Sequence, residues 1–326
     1  MSNPTGDPAE IDRTPKPDEP GARLCRLRDV LGDLRRDADA AHEAYKSGNP
    51  RGAISGLASL DRELSGAFAP GVHFIHGNAG TGKTAFCLQV AADARCPALF
   101  VTCEMAPGEL LRRHTARATG TFLGRLKSGE MSGGDAERLA LQACEAAPDF
   151  AFIDATTGPA SPAFICDCAE IVKADAPHLL IVVDSLHSWA QGMAGDQPEY
   201  EALNAGVSGL QRLASRLGCA VLVVSERNRD SMKSGGINAG AGTRKIEYGA
   251  ETVIDLERDA KQPEDGGGEV EIKLTLAKNR HGTAGKPLAL RFNGALQRFS
   301  EGGVVGEIRE ATAKHRATVG RVRELV

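Results

Sequence analysis

Short apolar runs alternate with helical stretches through most of the chain, and this rhythm predicts its fold. Seven of the runs are strand candidates, at Val72–His76, Ala98–Cys103, Phe150–Asp154, Leu179–Asp184, Ala220–Ser225, Thr252–Leu256 and Val270–Ala277. Several are almost continuously apolar, which is typical of strands covered on both faces of a sheet. Helical stretches separate the earlier runs, so the pattern predicts an α/β fold with a mostly parallel, doubly wound sheet. The last strands lack intervening helices and predict an antiparallel extension.

A different pattern precedes this alternation. Apolar residues recur at alternating steps of three and four, the a/d spacing of a helix with one apolar seam. They are Leu24, Leu27, Leu31, Leu34, Ala38, Ala41 and Tyr45. The segment KSGNPRG at 46–52 then breaks the helix and reads as a linker.

These patterns divide the chain into four parts. Residues 1–20 are rich in Pro, Asp and Glu, which predicts a disordered tail. A linker helix is expected over 21–50 and the α/β domain over 51–301. Residues 302–326 form a C-terminal tail for which a short charged helix is one interpretation.

Composition and charge narrow the functional classes. Lys and Arg total 39 against 43 Asp and Glu, a net charge of −4. This balance excludes a basic footprint over the whole chain, although a local basic patch stays compatible with it. The N-terminal stretch lacks the apolar core of a signal peptide, and no run approaches the roughly 20 apolar residues of a membrane span. We therefore expect a cytoplasmic protein without a membrane partner.

The segment GNAGTGKT carries the clearest chemistry. It comprises Gly77, Asn78, Ala79, Gly80, Thr81, Gly82, Lys83 and Thr84, and it fits the phosphate-loop pattern GxxxxGK[ST] between a strand and a helix. Glycines let backbone N–H groups close around phosphate oxygens, and the helix N-terminus adds positive potential. Lys83 is expected to reach the β- and γ-phosphates and Thr84 to bind Mg²⁺. ATP and Mg²⁺ are therefore the expected cofactors, although GTP stays open as the nucleotide.

Two carboxylates follow later strands. Asp184 ends the apolar run LLIVVD, which is the Walker B arrangement that places a carboxylate beside Mg²⁺. Glu104 ends the strand after the phosphate-loop helix, at the edge where open α/β sheets bind ligands. It is placed to orient or deprotonate the attacking water. On position alone, a solvated glutamate at a strand end remains the other interpretation.

From about Gly56 to Phe299 the chain resembles the ATPase domain of DnaB-type replicative helicases, within the RecA-like group. The similarity rests on four short segments in order: Gly-Leu and Leu-Asp at 56–61, Cys-Glu-Met with Glu-Leu and an Arg at 103–113, Ser-Glu-Arg-Asn-Arg at 225–229, and Ala-Lys-Asn-Arg-His-Gly at 277–282. The resemblance implies an ATPase that forms a homo-oligomeric ring, expected to be a hexamer, and moves on single-stranded DNA.

The resemblance also implies roles for individual residues. Glu104 would be the catalytic base, and Lys278 and Arg280 would reach the γ-phosphate bound by the neighbouring subunit. A cation supplied in trans neutralises charge that develops on the transferred phosphoryl group. From spacing alone, Lys278 and Arg280 read as two solvated charges in a hairpin. The helix over 21–50 matches the linker helix that packs on the adjacent subunit of DnaB-like rings, which makes it an oligomerisation helix.

Some residues depart from the family's pattern. Glu226 stands where the family has a polar sensor glutamine, and the segment 184–189, DSLHSW, is closer to RecA, RadA or KaiC relatives. Two other functions therefore stay open. One is a RecA/KaiC-like regulatory or recombination ATPase without duplex unwinding, and the other is a phosphate-loop module that switches partner proteins without nucleic acid.

The segment 227–245, RNRDSMKSGGINAGAGTRK, is the candidate nucleic-acid loop. It carries five cations, Arg227, Arg229, Lys233, Arg244 and Lys245, against Asp230. A glycine-rich cationic loop can follow a phosphate backbone without reading bases. A solvated loop is the alternative. Trp189 is a possible base-stacking residue, although a single Trp is more often part of a core or interface.

Overall fold

The computed structural model describes residues 25–226, 248–258 and 268–302. The chain divides into two units, Met1–Asn49 and Pro50–Val326. In the second unit, the described strands form one sheet of nine. Their bounds are β1 (Gly71–Gly77), β2 (Ala98–Thr102), β3 (Phe150–Asp154), β4 (Leu180–Asp184), β5 (Ala220–Glu226), β6 (Thr252–Arg258), β7 (Glu269–Asn279), β8 (Pro287–Asn293) and β9 (Arg298–Glu301). The seven predicted strands are confirmed, whereas β8 and β9 were not predicted.

The strand order is β3-β2-β4-β5-β1-β6-β7-β8-β9. The first six are joined by parallel pairings, and β6 to β9 are joined by antiparallel pairings. The prediction of a mostly parallel sheet with an antiparallel extension is therefore confirmed. All six parallel strands end at the same edge, where α/β sheets of this kind bind ligands.

Helices cover both faces of this sheet. The described helices of the second unit are α2 (Ala58–Glu63), α3 (Lys83–Asp93), α4 (Pro107–Thr119), α5 (Gly133–Ala146), α6 (Pro162–Lys173), α7 (Leu186–Ala194) and α8 (Glu199–Leu217). Side chains of α2, α3 and α4 pack in one apolar cluster with alternate strand residues, and those of α6, α7 and α8 pack in a second. Phe74 and Ile75 belong to opposite clusters, as the two-residue period of a strand requires.

Trp189 belongs to the second apolar cluster. Its side chain is buried, and its indole N–H donates to the carbonyl oxygen of Ala160 at 2.8 Å. A buried Trp with its polar atom satisfied has the role of a core residue. Trp189 is therefore not placed to stack a nucleic-acid base.

The predicted amino-terminal helix forms within the first unit. A 3₁₀ turn, Leu27–Val30, leads into α1 (Leu31–Ser47), which ends at Gly48 in the left-handed conformation. Leu24, the first residue of the predicted seam, lies outside the described residues. The apolar side chains of Leu27, Leu34 and Tyr45 are 89%, 66% and 87% exposed. Among the described helices, none is long and apolar enough to cross a membrane.

Candidate active site

The phosphate loop joins β1 to α3 in a conformation that requires glycine. Gly80 and Gly82 have φ angles of +80° and +86°, in the left-handed region. Gly77 is constrained differently, because a Cβ atom there would lie 2.8 Å from the carbonyl oxygen of Leu256. The glycines thus allow both the turn of the loop and its close approach to β6.

The cation of the loop already lies over it. Lys83 Nζ donates to the carbonyl oxygens of Gly77 at 2.8 Å and Asn78 at 3.1 Å. The loop tip, Asn78–Gly80, is exposed, and α3 begins at Lys83. Backbone N–H groups at a helix N-terminus and an adjacent ammonium group form an anion site. The structure therefore places the predicted phosphate-binding residues in a single accessible loop.

Asp184 ends β4 in a buried position, 5% exposed. Burial raises its pKa to about 6, while a hydrogen bond from the Thr84 side chain lowers the pKa and the nearby Glu104 raises it. A buried carboxylate beside a hydroxyl offers the hard oxygen ligands that Mg²⁺ prefers. Thr84 and Asp184 fit a bound Mg²⁺, which takes few protein ligands and completes its shell with water and nucleotide phosphates. Consistently, no group of three or more His, Cys, Asp or Glu side chains suited to a metal occurs among the described residues.

Glu104 lies beside Asp184 because β2 and β4 are neighbours. Thr102 pairs with Asp184 across these strands, and Glu104 follows two residues later. The hydroxyl groups of Ser185 and Ser188 both donate to Oε1 of Glu104, the second at 2.9 Å. The first turn of α7 therefore fixes the orientation of this exposed carboxylate. The sequence prediction missed both serines, although the adjacency of Ser185 to Asp184 was an available signal.

Glu226, the departure from the family's glutamine, lies at the end of β5. It pairs in register with Gly77, the first residue of the phosphate loop, and its side chain is exposed. The carboxyl edge of the sheet thus carries three carboxylates near the loop, those of Glu104, Asp184 and Glu226.

The hairpin β8–β9 supports the phosphate-loop helix. The carboxamide of Gln89 in α3 accepts a hydrogen bond from the backbone N–H of Phe299 at 2.8 Å and donates to its carbonyl oxygen at 3.1 Å. Phe299 stacks on Phe292 with ring centroids 4.5 Å apart. A Cβ atom on Gly82 would meet the Phe299 ring at 3.0 Å. The unpredicted hairpin is thus in close contact with the start of α3.

Lys278 and Arg280 lie away from this loop. Asn279 pairs with Thr252, which pairs with His73, and His73 precedes Gly77 by four residues along β1. At about 3.3 Å per residue, the end of β7 is about 13 Å from the start of the loop along the strand direction. The structure therefore does not bring these two cations to the chain's own phosphate loop. The five cations of the candidate nucleic-acid loop, Arg227, Arg229, Lys233, Arg244 and Lys245, lie outside the described residues.

The sheet order, the phosphate loop after β1 and the aspartate at the end of β4 together define a RecA-like P-loop nucleoside triphosphatase. Solved structures share this fold. One, a separately solved ATPase domain, is matched with a TM-score of 0.71 and 18% identity over 86% of this chain and all of that one. A DnaB-like replicative helicase, solved in a study of its interactions with primase, matches with a TM-score of 0.68 and 18% identity, over 85% of this chain and 71% of that one. A KaiC-like protein from Pyrococcus horikoshii OT3 matches less well, with a TM-score of 0.54 and 17% identity, over 78% of this chain and all of that one.

Sequence comparison identifies the family. The model of the DnaB-like helicase C-terminal domain matches residues 52–301, and the chain belongs to this family. The Trieres chinensis protein named "Probable replicative DNA helicase" is 24% identical over 270 residues, which cover 78% of this chain and 59% of that protein. The chain thus spans under two thirds of that relative's length. The resemblance recognised in the sequence is confirmed.

Proposed function

We propose that this protein hydrolyses ATP and couples hydrolysis to movement along single-stranded DNA, as a ring-forming, hexameric DnaB-like replicative helicase. The observation that carries the proposal is the meeting of the phosphate loop, Asp184 and Glu104 at one sheet edge, in a chain of the DnaB-like family. The relative named for replicative helicase activity supports the same function. Replication of this kind takes place in the cytoplasm, where we expect the protein to act. Family membership favours this function over a regulatory RecA/KaiC-like ATPase.

The chemistry follows from the placement of the side chains. Lys83 and the loop N–H groups bind the β- and γ-phosphates, and Thr84 and Asp184 hold Mg²⁺, which neutralises phosphate charge when bound. Glu104, oriented by Ser185 and Ser188, accepts the proton of the water that attacks the γ-phosphorus. The phosphoryl group passes to this water, and ADP leaves.

Lys278 and Arg280 complete the site from a neighbouring subunit. Their position about 13 Å from the chain's own loop supports an action in trans. An arginine supplied by an adjacent subunit neutralises the charge that develops on the transferred phosphoryl group. A closed ring provides such a neighbour at every site.

Single-stranded DNA is expected to raise the ATPase rate and to bind through the loop at 227–245. Replacing Arg244 and Lys245 with Ala should weaken DNA binding equally on unrelated sequences, because interactions with the DNA backbone carry no sequence information. It should also flatten the salt dependence by roughly one unit of slope for each phosphate that is no longer bound. ATPase assays with and without DNA, and DNA titrations at several salt concentrations, measure both effects.

The exposed residues Arg212 and Arg216 of α8 provide a matched control, because their replacement with Ala removes the same charge elsewhere. Equal affinity and slope in the loop variant and the control would assign 227–245 to a solvated loop. An ATPase rate that ignores DNA would favour the protein-switch hypothesis. Separation of a forked duplex distinguishes a helicase from a recombination or regulatory ATPase.

Deleting residues 1–47 is expected to leave a folded, nucleotide-binding unit that no longer forms rings at low concentration. The seam on α1 exposes Leu27, Leu31 and Leu34, which a neighbouring subunit can bury. Each buried Leu contributes roughly 1.5–3 kcal/mol, so several of them can decide assembly. Light scattering over a dilution series measures the change. An unchanged oligomer would show that the α/β units assemble without the helix.

A further inference from the structure

Hydrogen bonds hold the side chain of Arg280 in place at the amino-terminal edge of the parallel strands. Its Nη1 donates to Oε1 of Glu251 at 3.1 Å, and its Nη2 donates to the carbonyl oxygen of Tyr248 at 2.6 Å. The backbone N–H of Arg280 also donates to the carbonyl oxygen of Glu251 at 3.0 Å. A guanidinium group has five N–H donors, and 46% of this side chain stays exposed. Arg280 can therefore keep both side-chain bonds while it meets a ligand outside the chain.

The same two residues also receive the side chains beside Arg280. Lys278 Nζ donates to the carbonyl oxygen of Tyr248 at 3.3 Å, and Nε2 of His281 lies 2.9 Å from Oε2 of Glu251. Each carboxylate oxygen of Glu251 thus has its own partner in the segment 278–281. One carboxylate and one backbone carbonyl gather all three side chains.

Glu251 is itself firmly anchored. Its backbone N–H donates to the carbonyl oxygen of Val72 in β1 at 2.8 Å, and Gln211 in α8 donates to the carbonyl oxygen of Gly249 at 3.2 Å. The absence of a side chain on Gly71 makes room for it, because a Cβ atom there would overlap Cγ of Glu251. Only 19% of the Glu251 side chain is exposed. A charge-assisted hydrogen bond from such a fixed carboxylate constrains its partner more than a mobile surface pair does.

We propose that Glu251 is a positioning residue, which presents Arg280 to the nucleotide bound by the adjacent subunit. This inference rests on the proposed function, in which Arg280 acts in trans. An arginine supplied in this way contributes about 10³–10⁵ to kcat in related phosphoryl transfers. Misplacement of a catalytic group by about 1 Å can cost roughly a hundredfold in rate. Loss of the carboxylate that fixes Arg280 should therefore lower turnover without touching the phosphate loop.

Glu251→Gln tests the proposal, because glutamine keeps the shape of the side chain and removes its charge. We expect kcat for ATP to fall by roughly ten- to a hundredfold, short of the loss in Arg280→Ala. KM should change by less than about twofold, since ATP binds at the opposite edge of the sheet. Glu137→Gln makes the same chemical change on the exposed surface of α5 and should match the unmodified protein.

Mixed rings separate positioning in trans from a general structural defect. Glu251→Gln protein retains its phosphate loop, and Lys83→Ala protein retains both Glu251 and Arg280. Mixing the two should restore turnover at junctions where the intact Glu251 faces an intact loop. Normal kcat in Glu251→Gln, a raised KM at unchanged kcat, or no rescue in confirmed mixed rings would overturn the proposal. An unmodified protein without ATP turnover would instead contradict the proposed function.

Discussion

Replacing Glu104 with Gln is expected to lower ATP turnover by roughly 10²–10⁴-fold, the usual contribution of a general base. The amide oxygen of glutamine can still accept the hydrogen bonds that Ser185 and Ser188 donate to Glu104. Glutamine cannot take a proton from water, however, so orientation is kept while base catalysis is lost. Nucleotide affinity should stay close to normal, because Lys83 and the loop carry binding. Steady-state ATPase assays and equilibrium nucleotide titrations measure the two quantities separately.

Lys83→Ala is the informative comparison for this variant. It removes the ammonium group that lies over the phosphate loop, so both affinity and turnover should fall. Near-normal turnover in Glu104→Gln would contradict its assignment as the base. The role would then pass to Glu226, whose position in register with Gly77 makes it the next carboxylate at the loop.

The phosphate loop and its carboxylates were predictable because their signals are local. A glycine-rich segment between a strand and a helix identifies itself, and residues that end parallel strands share one edge of the sheet. What the sequence could not supply is strand order. Glu104 meets Asp184 only because β2 lies directly beside β4, with Thr102 opposite Asp184.

Contacts between distant segments account for what the sequence left out. Gln89 binds the backbone of Phe299, 210 positions away, and no periodic pattern links an amide in one helix to a later strand. The strand that contains Phe299 is four residues long, too short for a clear alternation of apolar and polar residues. Glu251 was overlooked for the same reason, since its importance comes from the return of the chain at Arg280.

Arg280→Ala and Lys83→Ala proteins should each be nearly inactive alone, and mixing them should restore turnover. Removing an arginine that acts in trans is expected to cost about 10³–10⁵ in kcat, while nucleotide binding persists. The Arg280→Ala subunit keeps its phosphate loop, and the Lys83→Ala subunit keeps its arginine. In a random equal mixture, about a quarter of ring junctions join an intact loop to an intact arginine. Turnover should therefore rise towards a quarter of the normal rate if junctions act independently, as ATPase assays over a series of mixing ratios would show.

The geometry of the single chain makes this result the expected one. The end of β7 lies about 13 Å from the start of the phosphate loop along the strand direction, and Glu251 and Tyr248 hold Arg280 there. An arginine so fixed cannot swing to its own nucleotide without breaking both bonds. If mixed rings form and turnover stays absent at every ratio, Arg280 acts within its own subunit or has no part in hydrolysis. The hydrogen bonds to Glu251 and Tyr248 would then serve only to close the turn after β7.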